Sequence, residues 1–393
     1  MTDASKESPR KVRIAVIASL SELNKVVTQT FIDSLVSILN PHADRIFLVA
    51  AIPPSTTGEK IIPIQVKRWG DRENKFILLK LLHHILTDFK LSVRLLSLSR
   101  DFDIAIYHVK VYLLATLVTR LLRKRIAVFS FNSAGKSARV FFNNRSLIWD
   151  GAFPSSAFDI LEKAVFTLAN RIWIESKSVI DFSELSKYKD KISICGDGYI
   201  NTERLNIHVR TQERDNTIGY IGRFEETKGI LNLVKAVPLI SAQRPDVQYC
   251  FGGGGSLWHR AVDKLKESVL PEKIKLLEWV SQNDLPHYLN QIKLFILPSE
   301  TEGLPRAIME AMACGAVVLA TPVGGVPDLI QDGVTGFILS DNSPECIAKN
   351  VVRALEHQAL DEIAQNARRL IQREYNYEAV IERCRAAIDN LLR

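Results

Sequence analysis

Short apolar runs alternate with longer segments of helical periodicity along almost the whole chain. In the first half, we expect buried β-strands at six of these runs. They are Val12–Ala18, Arg45–Ala51, Asp103–His108, Ile126–Phe131, Arg171–Ile174 and Lys191–Ile194. Amphipathic segments, among them Asn24–Leu39, Asn74–Phe89 and Ala157–Leu168, lie between the strands. Strands that alternate with helical segments predict a parallel, doubly wound sheet.

The second half of the chain restarts the same rhythm. The expected strands are Thr217–Gly222, Val247–Phe251, Lys273–Leu277, Lys293–Leu297 and Ala316–Ala320. A chain of 393 residues exceeds what one hydrophobic core usually serves. We therefore predict an α/β protein with two Rossmann-like, doubly wound parallel-sheet domains, 1–205 and 206–375, joined by the polar linker 201–215. Ligands of such sheets bind in the cleft facing the carboxyl ends of the strands.

Two glutamates, Glu302 and Glu310, stand on either side of a Gly-Leu-Pro turn in the sequence SETEGLPRAIMEAMACG. Pro305 suits the first position of a helix, and the alanine-rich run after it favours helix formation. Amides at a helix start attract phosphate, whereas the carboxylate of Glu302 repels phosphate and suits neutral hydroxyls. Phosphate next to hydroxyls indicates a nucleotide sugar. The alternative is that Glu302 only caps the helix and Glu310 only faces solvent.

Three further loops follow predicted strands of the second half. The loop YIGRFEETKGI brings Arg223 and Lys228 to a position where two cations can bind a diphosphate. The loop FGGGGSLWHR contains Gly252 to Gly255, which permit close backbone approach, although four glycines can also form a simple turn. The loop TPVGGVPDLIQDGVTGFIL has Gly324 and Gly325 at a helix start. We expect the four loops to converge on one site for phosphate and sugar.

Six motifs together closely resemble the family 4 glycosyltransferases of GT-B architecture. They are IGRFEETKG, FGGGGS, LLEWVSQNDLPHYL, SETEGLPRAIMEAMACG, VGGVPDLIQDGVTGFIL and NYEAVIERC, and the resemblance covers nearly all of 217–393. It implies two domains that face a central cleft, a donor site in the C-terminal domain, and a last helix, about 376–393, that crosses back onto the N-terminal domain. It also implies a retained anomeric configuration and a nucleotide-diphosphate sugar as co-substrate, with no cofactor and no metal ion.

The resemblance assigns a role to each matching residue of this chain. Arg223 and Lys228 would neutralise the diphosphate of the donor. Glu302, the first glutamate of the E-x7-E motif, would contact the transferred sugar, and Glu310 would hold the ribose hydroxyls. The backbone of Gly303 and Leu304 at the helix start would meet phosphate and sugar. Gly253 of the glycine loop would approach the donor, and the segment around Trp279 and Val280 would lie beside the nucleobase.

The N-terminal half departs from the family after the strand Ile126–Phe131. The family usually places a histidine near the reacting sugar there, and this chain has Asn132, which can form hydrogen bonds but carries no charge at neutral pH. We predict a retaining hexosyltransferase with the catalytic set Arg223, Lys228, Glu302 and Asn132, and with a glycan, lipid-linked or polysaccharide acceptor in cell-envelope or surface-glycan synthesis. The alternative is a non-catalytic nucleotide-sugar-binding protein of the same fold that serves regulation or assembly.

Charge differs between the two halves. Residues 1–205 carry 30 Lys+Arg and 20 Asp+Glu, a balance of +10, and the other residues carry 21 and 24, a balance of −3, which together give the net charge of +7. Two apolar segments with basic residues, NKFILLKLLHHILTDFK and VYLLATLVTRLLRKR, lie in the basic half. They predict attachment to an anionic membrane surface, and the alternative is that both apolar faces cover the N-terminal sheet.

Targeting and partner signals are sparse in the sequence. No apolar stretch has the length of a membrane-spanning helix, and the polar start MTDASKESPRKVR lacks the hydrophobic core of a signal peptide. We therefore expect a cytoplasmic protein, peripheral at the inner face of the membrane if the basic half binds lipid. The five cysteines have no C-x-x-C spacing, which argues against zinc and against a disulfide framework. No zinc-finger, RNP or basic-heptad pattern indicates a nucleic-acid partner.

Overall fold

The computed structural model describes residues 12–18, 25–50, 55, 58–66, 77–108, 112–130, 152–196, 198–268 and 271–393. The chain divides into two compact units. The first comprises Met1–Glu175, Glu184–Gly198 and Val380–Arg393, and the second comprises Ser176–Ser183 and Tyr199–Ala379.

Strands and helices alternate in both units. The strands are β1 (Val12–Ile17), β2 (Ala43–Ala50), β3 (Ile61–Gln65), β4 (Ile104–Tyr107), β5 (Arg125–Phe129), β6 (Arg171–Ile174), β7 (Ile192–Ile194), β8 (Thr217–Ile221), β9 (Gln248–Gly252), β10 (Ile274–Leu277), β11 (Leu294–Leu297), β12 (Val317–Ala320) and β13 (Phe337–Ile338). The helices are α1 (Lys25–Leu39), α2 (Ile77–Ser97), α3 (Leu113–Leu121), α4 (Ala152–Leu168), α5 (Ser178–Phe182), α6 (Ile230–Gln243), α7 (Trp258–Ser268), α8 (Leu285–Leu289), α9 (Arg306–Ala313), α10 (Val326–Leu329), α11 (Pro344–Leu355), α12 (Leu360–Glu374) and α13 (Tyr377–Leu392).

Each unit is built on one sheet whose described strand pairs are all parallel. The strand order is β3-β2-β1-β4-β5-β6-β7 in the first unit and β10-β9-β8-β11-β12-β13 in the second. In the first sheet, β1 to β3 run to one edge, and the chain then returns so that β4 pairs with β1. In the second sheet, β8 to β10 run to one edge, and β11 then pairs with β8. Such a sheet has a switch point between the two windings, at β1 and β4 in the first unit and at β8 and β11 in the second. Ligands of doubly wound sheets bind at the carboxyl ends of the strands next to this point.

All eleven strands expected from the sequence are present, and two further strands, β3 and β13, were not predicted. Both lie at the edge of their sheet. β3 contains Pro63, which removes a main-chain donor and is tolerated at an edge, and β13 has only two residues. Helix α2 also continues to Ser97, beyond the predicted end at Phe89.

The boundary between the units lies at Gly198 and Tyr199, earlier in the chain than the predicted boundary at 205 and 206. The polar segment that was expected to be a linker belongs to the second unit, because it carries buried apolar side chains. Ile200 and Leu205 are part of the core of that unit. A segment can therefore look like a linker in composition and still contribute to a core through two residues.

Arg214, which lies in the same segment, is buried and binds main-chain carbonyls. It donates hydrogen bonds to the carbonyls of Val209, Leu289, Ile292 and Cys314 at 2.5 to 3.1 Å. Burial lowers the pKa of the Arg214 guanidinium to about 10, so the group stays charged at neutral pH. Arg368 is also buried and donates to the carbonyl of Ala313. Two cations thus bind the last carbonyls of α9, where the helix dipole favours positive charge.

We expect Arg214→Met to lower the free energy of unfolding by about 3 kcal/mol, because it leaves several buried carbonyls without a donor while nearly keeping the side-chain volume. The matched control is Arg210→Met. Arg210 is exposed and pairs with Glu213 at the surface, so its loss should cost much less stability than the loss of Arg214. Chemical denaturation followed by tryptophan fluorescence measures both changes, and equal losses would contradict the structural role given to Arg214.

Candidate functional site

Loops after four neighbouring strands of the second unit touch one another through main-chain atoms. The strands are adjacent in the order β9-β8-β11-β12. At each of the three junctions between loops, a glycine lies so close to the neighbouring backbone that a side-chain Cβ would not fit. These glycines are Gly253 and Gly255 at the first junction, Gly229 at the second and Gly324 at the third.

The first junction joins the loops after β8 and β9. A Cβ on Gly253 would lie 1.9 Å from the carbonyl oxygen of Gly222, and one on Gly255 would lie 2.6 Å from that of Phe224. Both glycines have a positive φ, 126° and 149°, which other residues rarely adopt. The amide of Phe224 donates to the carbonyl of Gly254 at 2.9 Å. The glycines of this loop thus allow the neighbouring loop to approach closely, and the role of Gly253 in donor binding stays a prediction.

The second junction lies at the switch point and positions Lys228. A short 3-10 turn, Glu226–Lys228, ends at Gly229, whose φ of 65° starts helix α6. A Cβ on Gly229 would lie 2.0 Å from the carbonyl oxygen of Pro298, in the loop after β11. The amide of Glu300 also donates to the carbonyl of Thr227 at 2.9 Å. Contact between the two backbones therefore fixes the distance between Lys228 and the residues that follow β11.

Lys228 and Glu302 form a buried ion pair across this junction. The Nζ of Lys228 lies 2.6 Å from the Oε1 of Glu302, and the two side chains are only 17% and 7% exposed. The sequence analysis assigned them to different parts of a donor, the diphosphate and the sugar. In the structure, the two charges pair with each other. The N-cap residue of α9 is Pro305, which provides no side-chain cap.

Ser299 and Thr321 support Glu302, and the sequence analysis assigned them no role. The hydroxyl of Ser299 donates to the Oε1 of Glu302 at 2.6 Å, and the hydroxyl of Thr321 donates to the carbonyl of Ser299. All three residues are buried. A serine three residues before the first glutamate was visible in the motif, but only the fold shows that its hydroxyl points at the carboxylate.

The third junction joins the loops after β11 and β12. A Cβ on Gly324, which has a φ of 58°, would lie 2.1 Å from the carbonyl oxygen of Glu302 and 2.7 Å from that of Gly303. The amide of Gly325 donates to the carbonyl of Gly303 at 2.7 Å. Leu304, next in the turn, is buried. The turn that opens α9 is thus held from both sides. The helix begins at Arg306, with Pro305 as the capping residue just before it.

Arg223 lies in the loop after β8 and is half-exposed. Its guanidinium lies 3.0 Å from the carboxylate of Glu225, two residues further along the chain. The hydroxyl of Tyr220 donates to the Arg223 carbonyl at 2.6 Å, which anchors the backbone while the side chain stays accessible. The structure therefore pairs Arg223 with a surface carboxylate, whereas Lys228 is paired with the buried Glu302.

Glu310 is buried in the middle of α9. The alternative interpretation, in which Glu310 only faces solvent, is therefore wrong. Its Oε1 lies 3.9 Å from the Nε of Arg306, one turn earlier. Burial raises the pKa of the Glu310 carboxyl above its ordinary value, against the opposing effects of Arg306 and Arg204. A ligand that donates hydrogen bonds to this carboxylate would favour the charged form and lower the pKa again.

The remaining predicted residues differ in exposure and in placement. Trp279 is 63% exposed at the end of β10, which makes it one of the few large apolar side chains of the second unit that face solvent. Val280 is half-buried and faces Gly252 across the loops. Asn132 lies outside the described residues. In the part of the chain that the structure describes, no group of three or more His, Cys, Asp or Glu could hold a metal ion.

Residues 202–375 match the protein family described as "Glycosyl transferases group 1". This segment is thus similar to the domain that defines that family. The amylovoran biosynthesis glycosyltransferase AmsK of Erwinia amylovora is 26% identical over 222 residues, which cover 52% of this chain and 54% of that protein. The putative colanic acid biosynthesis glycosyltransferase WcaL of Salmonella typhimurium is 28% identical over 200 residues, 49% of each chain. The chain thus spans about half the length of the curated relatives it matches.

Solved structures share the fold over nearly the whole chain. Sucrose-phosphate synthase from Thermosynechococcus elongatus is similar with a TM-score of 0.74 and 17% identity, over 98% of this chain and 99% of that one. Anabaena HepE in complex with UDP is similar with a TM-score of 0.71 and 15% identity, over 96% and 99% of the two chains. The predicted fold class, α/β with two Rossmann-like parallel-sheet domains of GT-B type, is confirmed.

We expect Gly324→Ala to loosen the turn that opens α9, because the new Cβ would meet two carbonyl oxygens. The matched control is Gly333→Ala, since Gly333 has a similar φ of 72° but nothing within 4 Å of the added atom. In both variants the alanine must adopt a left-handed backbone conformation, which costs about 1 kcal/mol. In Gly324→Ala the clash with the two carbonyl oxygens costs about 2 kcal/mol more. Hydrogen exchange measured by mass spectrometry should become faster over 299–305 in Gly324→Ala only; equal rates in both variants would show that the junction does not constrain the turn.

Proposed function

We propose that this protein is a retaining, family 4 type glycosyltransferase that moves a sugar from a nucleotide-diphosphate sugar to a glycan, lipid-linked or polysaccharide acceptor. The observation that carries the proposal is the Lys228–Glu302 pair at the switch point of the second unit, where a cation for phosphate and a carboxylate for hydroxyls lie 2.6 Å apart. The names of the two relatives, an amylovoran biosynthesis glycosyltransferase and a putative colanic acid biosynthesis glycosyltransferase, support a role in cell-envelope or surface-glycan synthesis.

The chemistry rests on charge that develops as the sugar leaves. When the bond from the anomeric carbon to the diphosphate loosens, negative charge grows on the leaving phosphate. Lys228 and Arg223 therefore stabilise the transition state more strongly than they stabilise the ground state. Amides at the start of α9 contribute to the same stabilisation. The two cations take the place of a metal ion in this scheme. The leaving phosphate accepts the proton of the attacking hydroxyl on the same face of the sugar, which retains the anomeric configuration.

The other residues bind and orient the donor. Once the diphosphate has replaced Glu302 as the partner of Lys228, Glu302 accepts hydrogen bonds from the sugar hydroxyls. Glu310 accepts them from the ribose, in a buried position where a charged acceptor binds strongly. Trp279 offers an exposed ring for the nucleobase, beside Val280. Asn132 contributes hydrogen bonds to the transferred sugar in place of a histidine.

A donor panel tests the proposal directly. Purified protein is incubated with each common nucleotide sugar, with and without extracted lipid or polysaccharide acceptors, and free nucleotide is measured. Acceptor-dependent release from one donor supports transfer and identifies that donor. Tight donor binding without transfer to water or to any extract would instead favour the non-catalytic binding protein.

Removal of either cation should lower turnover by about two to three orders of magnitude, since each stabilises the charge that develops in the transition state. The variants are Arg223→Ala and Lys228→Ala. A matched control is Arg244→Ala, because Arg244 pairs with Asp246 two residues ahead, as Arg223 does with Glu225, but lies at the amino ends of the strands. Initial rates with the identified donor measure the effect, and full activity in both site variants would rule out the diphosphate assignment.

The two glutamate variants should differ in their affinity for the plain nucleoside diphosphate, which calorimetry measures. Glu310→Ala removes the ribose contact, so affinity should fall about 10- to 100-fold, the range for a hydrogen bond to a charged group. Glu302→Ala frees Lys228 from its ion pair, so diphosphate affinity should stay equal or rise while transfer falls. Similar losses of diphosphate affinity in both variants would show that this division of roles is wrong.

A further inference from the structure

Three helices of the first unit lie side by side and expose apolar side chains. Helices α2, α3 and α4 follow the strands β3, β4 and β5, and α3 packs against both of the others. The sequence left open whether the apolar residues of these helices cover the sheet or face outward. The structure shows that many of them face outward. On α2 and α3 these are Leu82, Ile85, Phe89, Val93, Leu96, Leu114, Leu117 and Leu121, which we call the apolar face.

The apolar face is a continuous stripe. Its five members on α2 follow one another at intervals of three or four residues, which places them on one side of the helix. They are about half exposed, Phe89 at 57%, and Leu121 at the end of α3 reaches 73%. In the second unit, by contrast, the large apolar side chains that are exposed lie singly on separate elements; Leu239 and Val334 are examples. A contiguous patch of this kind on one unit marks a surface that is covered by something else.

The exposed charged side chains on α2 and α3 are basic over the ranges 82–97 and 113–125. Over 82–97 and 113–125 the exposed charged residues are Lys90, Arg94, Arg120, Arg123 and Arg125. The only acidic residue in these two ranges is Asp88, which is buried. Its carboxylate accepts hydrogen bonds from the amides of Leu114 and Ala115 at 2.8 and 2.9 Å. Asp88 thus caps α3 from α2, which joins the two helices, and no acidic side chain within 82–97 and 113–125 is exposed.

We propose that the apolar face and its basic border dock onto the surface of an anionic lipid bilayer. Apolar side chains flanked only by cations complement both layers of such a surface, the acyl boundary and the negative headgroups. Among the described residues, no helix combines the length and the apolar composition needed to cross a membrane. In the proposal, the helices lie along the interface. This attachment goes beyond sugar transfer, and it would place the protein peripherally at the inner face of a membrane.

Vesicle sedimentation of the full-length protein tests the proposal without reference to transfer. Wild type is expected to bind vesicles of phosphatidylcholine mixed with phosphatidylglycerol, to ignore pure phosphatidylcholine, and to be released as salt rises. The variant Arg94→Gln/Arg120→Gln/Arg123→Gln should weaken binding about 100-fold, since each basic residue near an anionic bilayer contributes about fivefold. Lys124 is left unchanged because its Nζ binds the carbonyl of Phe102.

The apolar contribution is tested separately, with Phe89→Ser/Leu121→Ser, which should weaken binding at high salt more than at low salt. Matched controls come from the second unit: Arg260→Gln/Lys266→Gln/Arg369→Gln removes three exposed cations, and Leu239→Ser removes one exposed apolar side chain. Both controls should bind like wild type.

Three outcomes would overturn the proposal. The first is that wild type ignores anionic vesicles at low salt. The second is that the control variants lose binding as much as the variants of the face. The third is that light scattering shows a dimer that Phe89→Ser/Leu121→Ser dissociates, which would mean that a second copy of the chain covers the face.

Discussion

Contact between main chains, without side chains in between, is the constraint on which the second unit depends. Four loops at the carboxyl edge of its sheet touch in sequence, and each junction requires a glycine, at Gly253 and Gly255, at Gly229 and at Gly324. Because the backbones cannot come closer, the loops define one another's positions. Lys228 and Glu302 meet for this reason, since the two loops that carry them are in contact at Gly229.

Much of the fold follows from the sequence because buried parallel strands have a simple signature, a short apolar run between helical segments. This signature fails at the edges of the sheets, where β3 tolerates Pro63 and β13 spans only two residues. It also fails at the boundary between the units, because Leu205 and Arg214 are buried in a stretch that is polar on average. Average polarity describes a segment, whereas burial is decided residue by residue.

The sequence predicted which loops follow the strands at the candidate site, but it did not predict the contacts between their residues. Spacing after strands brings Lys228 and Glu302 to the same edge of a sheet, but it does not reveal that they bind each other or that Ser299 holds the carboxylate. The helical pattern of α2 was equally ambiguous, since apolar side chains at helical spacing can face a sheet or the solvent. The exposure of Phe89 depends on how the helix is rotated against the sheet, which a periodic pattern alone does not fix.

The ion pair between Lys228 and Glu302 has a consequence for ligand discrimination. A small inorganic anion that binds Lys228 would separate it from Glu302 and leave a buried carboxylate without its counterion, which is costly. A ligand that presents an anion to Lys228 and hydroxyl donors to Glu302 compensates both charges at once. Under the proposed function, the pair would therefore favour donors that contain both chemical groups over free phosphate and over the plain nucleotide. Selectivity of this kind would come from the energy of the ion pair that a ligand must break, as well as from contacts in the complex.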